Sequence, residues 1–415
     1  MTAEFPIRKP FVARLLQALL LIAVCLPTGS IFGLNVKIPA FGLFSLALAL
    51  YIVTRSSKWI TIDEFIFLAL FTGALAFWGL VAIFRGQSQT SQVFLQLKDI
   101  ASTVILAWLC LFFLRRNLLR PEDVIKPIVY GIVALAVMKI ALIAVTLVLK
   151  IDPIQLLGNV FGDDALVGGS IAFGLSRIEF SSDILGSFVL FALLCPSVSG
   201  VRFRRITIAF FGIVLLASGL LAFARYIWFL EAFAIVAATI IEGRFKLLVL
   251  AAFAMIGVAY FYYQELRPVF EERFFSDQVS DSDLIRMEQS KALVSAIETR
   301  PFLGKGLGAH VNAVIRNSEE QYSYELQWLS LTMQFGFAGL VAILLMIFAS
   351  ARDLLASHHP AKFWLLALFI LWLFSGWTNP HLTSSFAGAT FGMFMAFFFK
   401  LRYQPVSVQE AQQLA

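Results

Sequence analysis

Residues 127–149 read PIVYGIVALAVMKIALIAVTLVL, an apolar run broken by a single charge, Lys139. A bilayer core is crossed by about 20 apolar residues of helix, so this run is long enough to span one. Working outward, further runs of the same kind lie at 11–27, 38–54, 63–84, 99–114, 182–199, 206–224, 226–241, 247–263, 326–349, 363–378 and 384–399. The run at 182–199 carries Asp183 and Pro196, and the junction at 224–226 leaves hardly any loop. The expectation is an all-α polytopic membrane protein of about 12 transmembrane helices, folded as one integral membrane domain over residues 1–415.

Composition points the same way. Of 415 residues 60% are hydrophobic, 14% are charged and 43 are Phe, and the mean hydropathy is +0.85. A water-soluble fold has too little interior to hide that much apolar surface, so lipid is the solvent for most of the chain. A soluble enzyme, a disordered tail and a secreted disulfide scaffold are excluded. Cys25, Cys110 and Cys195 all fall in spans, where packing explains them better than disulfides or metal. The net charge of +6 does not imply a nucleic-acid partner here; its distribution across the membrane matters more.

That distribution orients the bundle. With the N-terminus inside, Arg115, Arg116, Arg120 and Lys126, and again Arg202, Arg204 and Arg205, gather in short inside loops. The short outside segments carry isolated cations such as Lys37, Arg85, Lys98, Lys150, Arg177 and Arg225. Both termini are therefore expected in the cytoplasm, with the first span a retained anchor and not a cleaved signal. The long outside segments are 150–181 and 264–325. Within the second, Asp283 to Glu298 places Leu284, Met287, Leu293, Val294 and Ile297 at mostly helical spacing, predicting an amphipathic helix on the outer face. Pro301 stops it, and GKGLG (304–308) is expected to follow as a flexible turn. The inside loops are short and hold no Walker motif, so chemistry is expected outside, on a substrate that carries its own activation.

Several ionisable residues are costly to explain as surface. Arg225 is either an interface marker or an anion contact at the mouth of a cavity. Glu231, on the same helix, is a structural partner for a cation or a participant in chemistry. Lys139 is expected to pair with Glu231 or to line a portal for an anionic lipid. Arg177 with Glu179 forms a solvated pair or an outer anion contact. His310 and His381 are placed outside, where either suits acid–base work; His358 and His359 lie in an inside loop. Tyr322, Tyr324 and Glu325 stand before the span at 326–349, either as an aromatic belt or as a carboxylate with phenols at the outer rim. No His spacing suits a metal.

Arg286, the turn of Pro301 with Gly304, Gly306 and Gly308, the motif Tyr322–Gln327, and the step of Gly336 and Gly339 occur in that order. Together, and placed in and after the large loop, they resemble the signature region of the bacterial O-antigen polymerase and ligase superfamily. The resemblance is specific over 220–340 and loose over the whole topology. It implies a metal-independent, cofactor-free membrane glycosyltransferase of the C-type-like class in the bacterial inner membrane, with residues 264–325 as a large periplasmic loop between the ninth and tenth spans. Its implied donor is an undecaprenyl-pyrophosphate-linked glycan. Its implied acceptor is a second lipid-linked glycan for a polymerase or the lipid A core for a ligase. A polysaccharide chain-length regulator is an implied partner. By position, Arg225, Arg286 and Arg177 match the periplasmic arginines that hold the donor pyrophosphate. Ligases carry a His in the motif where this chain has Tyr322-Ser323-Tyr324-Glu325, which favours a polymerase and leaves Glu325 as the positional substitute for the base. Transfer would then invert the anomeric centre. A polysaccharide or lipid transporter is the rival of a different class, although no matching halves are visible.

Overall fold

The computed structural model describes residues 10–26, 37–55, 60–86, 88–149, 178, 180, 182–222, 224–245, 281–315 and 320–403. Among them every regular element is helical: α1 (Pro10–Cys25), α2 (Lys37–Arg55), α3 (Ile62–Phe84), α4 (Thr90–Arg115), α5 (Pro121–Leu149), α6 (Asp183–Leu194), α7 (Arg205–Leu221), α8 (Arg225–Ile241), α9 (Asp281–Thr299), α10 (Gln327–Leu355), α11 (Lys362–Phe374) and α12 (Ser385–Tyr403). Single turns at Pro196–Ser199, Asn312–Val314 and Ser375–Trp377 complete the set. The span expected at 247–263 lies outside the described residues.

Among the described residues five helical stretches are long and apolar enough to cross a membrane: Lys37–Thr54, Ile62–Phe84, Thr90–Arg115, Pro121–Val145 and Gln327–Ser350. Their outward faces fit a lipid solvent. On α3 only Leu75, Gly79 and Ala82 are buried, while Ile62, Leu70 and Phe84 are 78%, 69% and 83% exposed. Side chains of that size in a row are costly against water and cost nothing against acyl chains. Phe11–Cys25, Asp183–Leu194, Arg205–Leu221 and Lys362–Trp377 are shorter apolar helices.

The core runs along α4, α5, α6 and α12. Phe369 and Trp372 of α11 meet Phe391, Phe394 and Phe398 of α12 largely edge to face, at centroid separations of 4.4–6.0 Å. Phe188 of α6 joins them through Phe394. Such ring pairs add packing energy beyond the area they bury. At the opposite end Thr61 and Glu64 close a capping box on α3, and Glu64 also accepts from Arg116 at the end of α4.

Two local expectations are corrected, and one helix carries a break. The stretch 182–199 is not one span: α6 ends at Leu194, and Pro196, which has no N–H to continue the ladder, starts a separate turn. The loop helix forms over Asp281–Thr299, but its buried face is Gln289, Leu293 and Ala296, whereas Leu284, Met287 and Val294 are exposed. The apolar residues are spread round the helix, and contact with α10 selects only one side. Finally, α10 does not run unbroken. At Gly336 its backbone leaves the helical region (φ 65°, ψ −177°).

Candidate functional site

The break in α10 is made by the glycine turn. In a continuous helix the N–H groups of Phe337 and Ala338 would bond the carbonyls of Met333 and Gln334. Here Phe337 N–H donates to Pro301 O (2.7 Å) and Ala338 N–H to Phe302 O (3.1 Å). The two released carbonyls accept instead from Lys305 N–H (2.8 Å) and Gly306 N–H (2.9 Å). The turn thus takes over two rungs of the helix ladder without leaving any of these groups unpaired. The other wall is α3, whose Trp78 indole donates to Leu303 O and Phe335 O, while Arg85 donates to Gly304 O (2.8 Å). Contact is so close that a Cβ on Gly304 would stand 2.3 Å from Gln334 O, and one on Gly336 2.2 Å from Phe302 O. GKGLG is therefore a pinned wedge, not the flexible turn expected from its glycines.

Beyond the wedge, the chain is received by a polar stripe on α4. Gln92, Gln96, Asp99 and Thr103 recur at helical spacing and are all buried. Gln92 Oε1 accepts from Gln321 N–H, and Gln96 Oε1 accepts from Gly308 N–H while its amide donates to Gln334 Oε1. Asp99 accepts from the Tyr322 hydroxyl at 2.5 Å and lies 3.3 Å from the Lys98 ammonium. Thr103 exchanges hydrogen bonds with the backbone of Ser384. The phenol of Tyr322 is held well above its usual pKa, first by burial and then by the Asp99 carboxylate. Tyr324 is buried too; its oxygen accepts from Val311 N–H (2.7 Å), and burial raises its pKa. Neither tyrosine belongs to an interfacial belt.

The wedge and the stripe bring the loop helix over the start of α10. There Arg286 Nε meets Glu325 Oε2 at 2.6 Å, and Arg286 Nη1 reaches Asp283 at 3.1 Å. The Glu325 side chain is 8% exposed and that of Arg286 30%, so the pair is half open to its surroundings. Beneath it Leu293, Ala296, Ala309, Tyr324, Leu326 and Met333 form a separate apolar cluster.

His310 lies elsewhere, in the wall of a cavity of about 660 Å³ shared with Lys305, Ser295 and Gln89. Its Nδ1 sits 3.3 Å from Gly308 O. A carbonyl cannot donate, so in this contact Nδ1 is the donor. His381, by contrast, is buried with neither ring nitrogen hydrogen-bonded, and burial lowers its pKa to about 4.

None of the contacts among the described residues joins the remaining candidates to this assembly. Arg225 opens α8, which packs on α6, α7 and α11; none of the described contacts joins it to Arg286 or Glu325. Lys139 is fully buried, so it lines no portal; it interacts electrostatically with Glu231, as expected, but does not hydrogen-bond it. Its ammonium donates to Asp183 Oδ2 (2.8 Å) and Ser218 O (2.9 Å), because α6 begins with a carboxylate at that level. Glu231 is buried against Gly219. Arg177 lies outside the described residues. No group of three or more His, Cys, Asp or Glu residues suited to a metal occurs among the described residues.

Gln96, Asp99, Lys305 and Gln334 were not singled out from the sequence. A signal was present for three of them: Gln92, Gln96, Asp99 and Thr103 at one end of an apolar run, and Gln327, Ser330 and Gln334 at the start of another, both at helical spacing. Compared with protein families, curated proteins and solved structures, the chain matches none of them.

Proposed function

We propose that this chain is a membrane glycosyltransferase that uses an undecaprenyl-pyrophosphate-linked glycan as donor and polymerises O-antigen or related repeat units at the periplasmic face of the bacterial inner membrane. The observation that carries the reading is the contact of Arg286 with Glu325. It joins a cation suited to phosphate with a carboxylate suited to proton transfer, at the edge of a bundle built for lipid.

In the resting arrangement Glu325 and Asp283 both hold the Arg286 guanidinium. A donor pyrophosphate competes with Glu325 for the guanidinium, whose planar fork matches phosphate oxygens. Its arrival releases the carboxylate beside the place where the acceptor binds. The acceptor hydroxyl oxygen then attacks the donor anomeric carbon, and the bond from that carbon to the pyrophosphate breaks. The bonding pair leaves on undecaprenyl pyrophosphate, the hydroxyl proton passes to Glu325, and the centre inverts. Arg286 stabilises the charge growing on the leaving group, by roughly 2–4 kcal/mol if it resembles other preorganised donors. Arg225 and Arg177 enter as further cations by sequence position alone. The span count of about 12, with both termini in the cytoplasm, belongs to the same proposal.

One observation favours a second choice of base. His310 lines the cavity, whereas Glu325 does not. Glu325→Gln and His310→Asn separate the two: the variant of the true base loses turnover while keeping donor binding. The test of the function itself is a gel of lipopolysaccharide and lipid-linked glycans from a deletion strain. A polymerase leaves one repeat on the core, a ligase leaves bare core with polymer accumulating on lipid, and unchanged glycans contradict the proposal.

A further inference from the structure

The cavity that holds His310 is not part of the Arg286–Glu325 contact, and its walls have a chemistry of their own. One wall is the link between α3 and α4, with Ser88 and Gln89; the opposite wall is the small-residue side of α9, with Ser295 and Thr299; Lys305 and His310 close it below. Hydroxyls, two amides and an imidazole face a space of about 660 Å³, within the ~300–1,000 Å³ of small-molecule sites. Among the described residues the lining contains one ammonium, one imidazole and no carboxylate. Such walls suit a ligand dense in hydroxyls and carrying a negative charge, and offer little to a lipid tail.

Two connections tie this space to the site already described. Val311, in its wall, donates its N–H to Tyr324, the neighbour of Glu325. Ala296 lines the cavity and also packs in the cluster under the Arg286–Glu325 pair. We propose that this cavity is the acceptor-glycan site, binding a saccharide whose carboxylate or phosphate substituent pairs with Lys305 while its hydroxyls bond His310, Ser295 and Gln89. Burial, and secondarily the nearby Arg300, lower the pKa of Lys305, so its charge is held at a cost that an anionic ligand would offset. The assignment of the saccharide as acceptor rests on the glycosyltransferase reading; the binding of an acidic saccharide does not.

The experiment is saccharide binding to the full chain in lipid nanodiscs, read by calorimetry, with a glucuronate-containing disaccharide, its neutral glucose counterpart and inorganic phosphate as probes. The acidic disaccharide should bind at least tenfold more tightly than the neutral one. Lys305→Gln should erase that difference, and Ser295→Phe, which fills the cavity from an exposed position, should abolish both. Arg286→Gln should leave all of this binding in place while turnover is lost. Binding by a wild-type chain that shows no transferase activity would sink the enzyme reading and keep the saccharide site. Equal binding of both disaccharides, indifference to Ser295→Phe, or phosphate binding as tightly as the acidic disaccharide would each overturn the proposal.

Discussion

Arg286 and Glu325 are separated by 39 residues and meet at 2.6 Å, across the contact between the loop helix α9 and the start of α10. The carboxylate is nearly buried and the guanidinium only partly so, which makes the pair asymmetric. Removing Arg286 leaves a desolvated charge behind, whereas removing both charges does not. Arg286→Gln should therefore destabilise the protein by about 1–3 kcal/mol, and Glu325→Gln in that background should recover most of the loss. Thermal unfolding in detergent across the double-mutant cycle checks this; additive losses would mean that the two groups do not interact.

Gly336 is the hinge of the wedge. An alanine there would stand against Phe302 O in a backbone region that side chains avoid. The relaxed alternative is a healed α10, with Phe337 and Ala338 bonding Met333 and Gln334 and the glycine turn expelled. Gly336→Ala should accordingly expose the Lys305 and Gly306 amides, which now donate to those two carbonyls. Hydrogen exchange at these amides should rise by orders of magnitude while α4 and α12 stay protected. Unchanged protection would show that the turn does not depend on the break.

The Tyr322–Asp99 bond makes a third case. Tyr322→Phe removes a donor from a buried carboxylate, at a cost of about 1–3 kcal/mol. The same change in an Asp99→Leu background should cost little, since no acceptor remains. Equal losses in both backgrounds, measured by unfolding, would assign the effect to packing.

His381 predicts a pH dependence. Its folded pKa of about 4 lies below the ordinary 6.5, so the unfolded chain binds a proton more readily than the folded one between those values. Stability should be fully present above pH 6.5 and fall as pH drops toward 4, by up to about 3 kcal/mol from this group. His381→Leu should flatten that part of the profile, and an unchanged slope would assign it to other groups.

How much of this was legible in the sequence differs from element to element. Lys139 stood out because a lone charge in an apolar run has few innocent explanations; Glu231 does interact with it electrostatically, but the ammonium's hydrogen bonds go to Asp183 and Ser218. Periodicity gives a residue's face and not which neighbour reaches it, and Asp183 sat in a stretch read as span. The loop helix was found, but its buried side was set by α10, not by its own weak apolar pattern. The rigidity of GKGLG was hidden, since glycine reads as freedom until another backbone is known to fill the space a side chain would need. The polar stripe of α4 was visible as a spacing, but hydropathy absorbed it into the edge of a span.

The central claim is that donor pyrophosphate displaces Glu325 from Arg286. The most direct measurement is the affinity of the full chain in nanodiscs for undecaprenyl pyrophosphate, compared among wild type, Arg286→Gln and Glu325→Gln. The account predicts at least tenfold weaker binding for Arg286→Gln, and for Glu325→Gln tighter binding together with lost turnover. Affinities indifferent to both substitutions would contradict it.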